Sequence, residues 1–171
     1  MSAREATPAL SGLFAPDERW MHEALRLARE AAGRGGVPVG ALVVRDGIVL
    51  ARGANQVETL RDATAHAEIL AIGAAGGAVA EAGDWRLDDA TLYVTLEPCT
   101  MCCGAILLAR VGRLVFGAAD PRAGAVVSTA RLLDGNPYHH RVEVVGGLLA
   151  EPCADVLRAV FRDRRQGTGA D

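Results

Sequence analysis

Apolar and polar positions along the chain change period several times, and each change marks an element. From Asp17 to about Arg34, Trp20, Met21, Ala24, Leu25, Leu27 and Ala28 recur at helical spacing. Asp17 is the predicted N-cap, and Gly33 with Gly35-Gly36 is the predicted stop. Val39–Val44 and Ile48–Gly53 then read as two strands joined by the hairpin signal Arg45-Asp46-Gly47. Asn55–Thr64 is predicted as a loop. Ala65–Ala75 follows as a helix with Thr64 near its cap and Gly76-Gly77 loosening its end. Thr91–Leu96 is a β-rich run ended by Pro98, and Thr100–Arg110 is the next helix. Arg113–Phe116 is a strand. Gly117–His140 is rich in Gly, Asp, Pro and Asn and reads as a long irregular connection, a kind of segment that often carries function. Arg141–Val145 is the last strand and Pro152–Arg165 the last helix.

The predicted order is therefore α-β-β-α-β-α-β-loop-β-α. Strands alternating with helices imply a mixed sheet covered on both faces, a three-layer α/β/α domain. Residues 1–16 are expected to form a flexible N-terminal arm, 17–166 a single domain, and 167–171 a disordered polar tail.

Composition narrows the class. The chain has 171 residues, half of them hydrophobic and 23% charged, the balance of one ordinary globular domain. No apolar stretch approaches the roughly 20 residues that span a bilayer. The start carries an early acid and lacks a long apolar run, so no secretory signal is expected. The expectation is a cytoplasmic protein with no membrane partner. The net charge is −3 and every cation is Arg. Whole-chain charge thus does not itself predict a nucleic-acid partner, but its distribution leaves room for one, and Arg suits phosphate clamping and base stacking. Aromatic residues make up 4% of the chain, too few for a stacking platform, so recognition should rely on a shaped pocket.

The four cysteines are Cys99, Cys102, Cys103 and Cys153. Three crowd into one short segment, a spacing suited to metal rather than to a disulfide framework. Zinc prefers imidazole nitrogen and thiolate sulfur in tetrahedral geometry. Cys99 and Cys102 form a Cys-x-x-Cys at a predicted helix start, where exposed N–H groups favour thiolate. His66, at another helix start, supplies a third ligand. Three protein ligands leave the fourth position to water, the plan of a catalytic zinc. Glu68, two residues after His66, is a hard carboxylate beside a soft ligand set. Its predicted role is proton transfer rather than ligation. Positions i and i+2 of a regular helix do not share a face, so the site must wrap around the helix end. A structural zinc would need a fourth ligand, for which Cys103, His22, His139 and His140 are available. The joint string His-x-Glu…Pro-Cys-x-x-Cys is the signature of zinc-dependent nucleobase deaminases.

The match extends further. Asp62-Ala-Thr-Ala-His-Ala-Glu-Ile69 and Thr91-Leu-Tyr-Val-Thr-Leu-Glu-Pro-Cys-Thr-Met-Cys102 resemble the two motifs of the bacterial tRNA adenosine deaminases, a branch of the cytidine-deaminase superfamily. Val115-Phe-Gly-Ala-Ala-Asp-Pro-Arg-Ala-Gly124, His140-Arg-Val-Glu143 and Phe161-Arg-Asp-Arg-Arg-Gln166 resemble that family's later segments. The likeness runs from about Asp17 to Gln166. It implies a cytidine-deaminase-like fold with a mixed five-stranded sheet, a homodimer, one zinc per subunit, and a tRNA anticodon loop whose wobble adenine enters the pocket. Unstacked loop bases are easily extruded. By position the resemblance also implies that Asn55 and the Ala67 N–H contact the target nucleoside. It further places Asp120 and Arg122 in an RNA-contacting loop, and Arg162, Arg164 and Arg165 on phosphates. His139 stands where the family often has Asn, and its ring is expected to stack or hydrogen-bond there. Cys103 replaces a small residue and is expected to pack as a small hydrophobe. Asn55-Gln56-Val57 differs from the family's more basic, Pro-containing version.

Three other readings share parts of this pattern. A free guanine or cytosine deaminase keeps the zinc core and differs in the loop after Phe116 and in the last helix. A silent zinc subunit would be expected to lose the proton-transfer acid, which is present here as Glu68. A structural zinc domain gives Glu68 no reason.

Overall fold

The computed structural model describes residues 11–80 and 83–167. Among the described residues five strands and five helices follow one another: α1 (Ser11–Gly33), β1 (Gly40–Arg45), β2 (Ile48–Ala54), α2 (Val57–Leu60), α3 (Ala67–Val79), β3 (Thr91–Leu96), α4 (Thr100–Leu108), β4 (Arg113–Ala118), β5 (Glu143–Gly146) and α5 (Ala150–Gly167). The strands form one mixed sheet in the order β2-β1-β3-β4-β5. β1 pairs antiparallel with both β2 and β3. β3–β4 and β4–β5 are parallel.

Side chains alternate across a strand, so each central strand feeds two cores. On one face Ala41, Val43, Leu92, Val94, Leu114 and Phe116 meet the apolar sides of α3 and α4. On the other, Leu42, Val44, Tyr93 and Val115 meet Met21, Ala24 and Leu25 of α1 and Cys153 of α5. This is the expected three-layer α/β/α arrangement with a mixed five-stranded sheet. Cys153 and Cys103 are both buried in these cores, as expected. No helix among the described residues is long and apolar enough to cross a membrane.

Several boundaries correct the sequence reading. The first helix begins at Ser11, so residues 11–16 are helical, and residues 1–10 lie outside the described residues. Pro16 removes one amide donor from this helix without ending it. Asp17 is not an N-cap. Its carboxylate turns to the sheet, accepting the Tyr93 hydroxyl at 2.6 Å and pairing with Arg113. The Asn55–Thr64 loop contains the single helical turn α2. Thr64 lies two residues before the N-cap of α3, with its amide and hydroxyl both donating to Asp62 Oδ1. His66 caps that helix, which then runs through Gly76-Gly77 to Val79. The last helix reaches Gly167, and residues 168–171 lie outside the described residues. The long irregular connection is present: between Ala118 and Glu143 no helix or strand forms.

Candidate metal centre and active site

Two helix starts converge to make the site. His66 and Cys99 are the N-cap residues of α3 and α4, each in extended backbone conformation (φ −70°, ψ 150° and φ −76°, ψ 176°). Cys102 lies in the first turn of α4. An extended cap breaks the helical phase, which is how His66 and Glu68, two residues apart, come to face one cavity. Gly53 of β2 allows the close approach of α3, since a Cβ there would lie 2.1 Å from the Ala67 carbonyl oxygen.

His66 Nδ1 is 3.7 Å from Cys99 Sγ and 3.5 Å from Cys102 Sγ, and the two sulfurs are 3.8 Å apart. Tetrahedral bonds of about 2.3 Å to sulfur and 2.05 Å to nitrogen predict edges of about 3.8 Å between sulfurs and about 3.6 Å from sulfur to nitrogen. The three donors thus fit a tetrahedral thiolate–imidazole site. Among the described residues these three form the metal-competent cluster, and no fourth His, Cys, Asp or Glu joins it. Cys103, a candidate fourth ligand, instead directs its Sγ to the Pro98 carbonyl. His22 is exposed on α1. His140 is buried elsewhere, with Nε2 2.8 Å from the Val111 carbonyl.

Contacts with Cys102 and His66 pull the Cys99 thiol down to about 3. The same contact with Cys99, with burial, pushes the Cys102 thiol up. One of the pair therefore ionises readily. Cys99 also holds the His66 ring above its ordinary value.

Glu68 is 3% exposed, and its Oε2 has no hydrogen-bond partner. Burial raises its pKa, although its own amide, His66 and Cys102 oppose the rise. A buried polar atom without a partner is costly, so this oxygen is poised for something the protein itself does not supply. It borders a cavity of 300 Å³ lined also by Asn55, His66, Cys99, Asp120 and the apolar side chains Val37, Val39 and Leu96. An apolar cavity with a few convergent polar groups is the usual form of a small-molecule site.

Asn55 is buried at the end of β2, and its Oδ1 accepts the Val57 amide at 3.3 Å. Ala67 is the first residue of α3, a position whose N–H has no intrahelical acceptor. Asp120 lies on the cavity wall, but its Oδ1 accepts the amides of Arg122 and Ala123 and so shapes its own loop. The Arg122 side chain is exposed and does not line the cavity. His139 is exposed and lines a separate cavity bounded by Leu133–Val142, which shares no residue with the first. Arg162 is exposed on α5, and the side chains of Arg164 and Arg165 lie outside the described residues.

The sequence reading gave Glu97 no role, yet it is a buried carboxylate beside the site. Burial alone would raise its pKa, but the Ser128 hydroxyl and the amides of Val127, Asp120 and Ser128 outweigh burial and hold it below the ordinary value. Its sequence signal was an acid closing the apolar strand Leu92–Leu96, a position with no solvent to face.

A sheet with this order, two capped helix starts meeting at a His/Cys/Cys cluster, and a buried acid beside them define a deaminase of the cytidine-deaminase-like fold. The chain belongs to the MafB19-like deaminase family, whose model matches residues 15–165, and it is similar along most of its length to tRNA-specific adenosine deaminases. The tRNA-specific adenosine deaminase of Bacillus subtilis is 47% identical over 150 residues, 88% of this chain and 91% of that protein. Its counterpart from Agrobacterium fabrum is 48% identical over 146 residues, covering 85% and 94%. A solved structure from work on A-to-I editing by tRNA:A34 deaminases at the wobble position of transfer RNA is similar, with TM-score 0.75 and 47% identity. It covers 81% of this chain and 99% of that one. A guanine deaminase from Nitrosomonas europaea is also similar in fold, with TM-score 0.66 and 25% identity over 95% and 98% of the two chains.

Proposed function

We propose that this protein hydrolyses the exocyclic amine of adenosine at the wobble position of a tRNA anticodon, leaving inosine and ammonia. The observation that carries the chemistry is the buried, unpartnered Glu68 Oε2 beside the His66, Cys99 and Cys102 cluster. Those three residues would hold zinc, one per subunit. When bound, zinc lowers the pKa of a water from about 15.7 toward 7 and so makes a nucleophile available near neutral pH. Glu68 takes one proton of the attacking water at Oε2 and passes it to the purine ring nitrogen, then takes the second from the oxygen now bonded to the ring carbon and passes it to the departing amine, serving as base and acid in turn. Asn55 and the Ala67 N–H hold the base edge. Val37, Val39 and Leu96 exclude bulk water around it.

The relatives support RNA rather than a free base as substrate. Arg122 and Arg162 are exposed, with no acidic partner among the described residues, and are suited to phosphates, as are Arg164 and Arg165. Asp120 shapes the entrance loop. His139, in its separate cavity, would contact RNA outside the pocket. A homodimer in the cytoplasm completes the proposal.

The test is an inosine assay. Purified protein is incubated with an anticodon stem-loop carrying adenine at the wobble position, with free adenosine, guanine and cytosine in parallel. Inosine in the stem-loop alone is expected. Ammonia from a free base alone would move the protein to the nucleobase branch, where the guanine deaminase neighbour stands.

A further inference from the structure

Glu97 is 2% exposed, and no Arg or His pairs with it among the described residues. All of its carboxylate's hydrogen-bond partners come from one loop. Its Oε1 accepts the amides of Val126 at 3.2 Å, Val127 at 2.8 Å and Ser128 at 2.9 Å. Its Oε2 accepts the Asp120 amide at 3.0 Å and the Ser128 hydroxyl. Convergent amide dipoles make an anion site of this kind strong. Here the anion belongs to the protein, and both ends of the loop from Asp120 to Ser128 are tied to one carboxylate.

That loop matters to the cavity. Asp120 and Ala123 form part of its wall. Gly124 forms a backbone bridge with Cys99, and the Ala125 amide donates to the Pro98 carbonyl at 2.8 Å. A Cβ at Gly124 would lie 2.4 Å from the Glu97 carboxyl carbon and Oε2, so glycine is what lets the loop close over the carboxylate. With no helix or strand between Ala118 and Glu143, the shape of this wall depends on such long-range ties.

We infer that Glu97 is a positioning residue. It clasps the loop 120–128 and thereby sets the substrate-facing wall, while the proton chemistry stays with Glu68. His66, Glu68 and Cys102 lie on α3 and α4, which pack against the sheet, and of the ligands it is Cys99 that bridges to Gly124 of the loop. Loosening the clasp should therefore weaken substrate binding more than turnover. The identity of that substrate rests on the tRNA reading above.

The test is Glu97→Gln, which turns an acceptor into an amide whose N–H groups face other N–H groups. With the adenine-bearing anticodon stem-loop, KM is expected to rise about tenfold, the factor for losing roughly one charge-assisted hydrogen bond, with kcat changed far less. Zinc content is expected to stay at the wild-type level. Amide exchange at Val126, Val127 and Ser128 is expected to quicken while β1 and β3 keep their protection. Gly124→Ala is expected to reproduce the pattern. The double variant should be no worse than the worse single one, because both act on the same clasp. An unchanged KM with folded protein, or a loss of kcat with KM unchanged, would overturn the inference. So would exchange that quickens across the whole sheet. If the wild-type protein leaves the stem-loop unmodified, the tRNA reading fails. Loop-confined exchange in both variants would then still establish the clasp, and unchanged loop exchange would refute it.

Discussion

Arg113 grips Asp17 with both terminal guanidinium nitrogens, each 2.9 Å from a different carboxylate oxygen. The Tyr93 hydroxyl donates to the same Asp17 at 2.6 Å, and Arg113 Nε reaches Glu143 at 3.0 Å. One acid of the first helix thus joins β3, β4 and, through Arg113, β5.

The hydrogen bond from Arg113 holds Asp17 below its ordinary value of 3.8, against the opposing effect of burial. A depressed folded-state pKa stabilises fully above the ordinary value and is lost as pH falls through the folded one. Asp17→Asn is therefore expected to cost about 1–3 kcal/mol near neutral pH, the range for leaving one partner of a largely buried pair unmatched. The Tm gap between wild type and variant should narrow as pH falls below about 4. A gap that persists or widens in acid would assign the loss to packing instead.

Glu68→Gln is expected to keep zinc and to lower kcat by at least a factor of about a hundred, the lower range for general acid–base catalysis. Inosine formation and metal content measured on the same preparation check this. Turnover close to wild type would remove Glu68 from proton transfer.

Cys102→Ser is expected to lose zinc, because a hydroxyl replaces one of the soft donors in a three-ligand site. Part of the stability should go with it, since metal binding is folding free energy. A full complement of zinc in the purified variant would count against the proposed ligand set.

Gly53→Ala tests how the sheet seats the site. The added methyl would collide with the Ala67 carbonyl at 2.1 Å, pushing the start of α3 and its cap His66 away from α4. A loss of about 1–3 kcal/mol in denaturant unfolding is expected, as for other overpacked positions, together with weaker zinc retention against a chelator. Wild-type stability would mean that α3 shifts freely on β2.

Much of this was legible in the chain. The strand cores at Val39–Val44 and Thr91–Leu96 show as short apolar runs, and the hairpin at Asp46-Gly47 shows as turn chemistry. His66, Glu68, Cys99 and Cys102 stand in a spacing that few other chemistries need. The helix ends were less legible, because a cap is chosen by competition. Thr64 reads as lying near the cap, but the chain is extended at His66, which takes the N-cap position. Gly76-Gly77 reads as loosening the end of a helix closing at Ala75, but α3 continues to Val79.

The sequence alone pointed to the order of the main elements and to a candidate ligand set and proton-transfer acid, because backbone periodicity and donor spacing are local properties written within a few residues. Only the tertiary structure decided that Asp17 serves Arg113 rather than a helix end. It also decided that an extended cap turns His66 toward the cavity of Glu68, that His139 lines a different cavity, and that Glu97 gathers a loop lying more than 20 residues further along. Each of these depends on which charges and dipoles meet after the chain has closed on itself. A carboxylate removed from water must find its donors wherever the fold has brought them, and sequence distance does not record that choice.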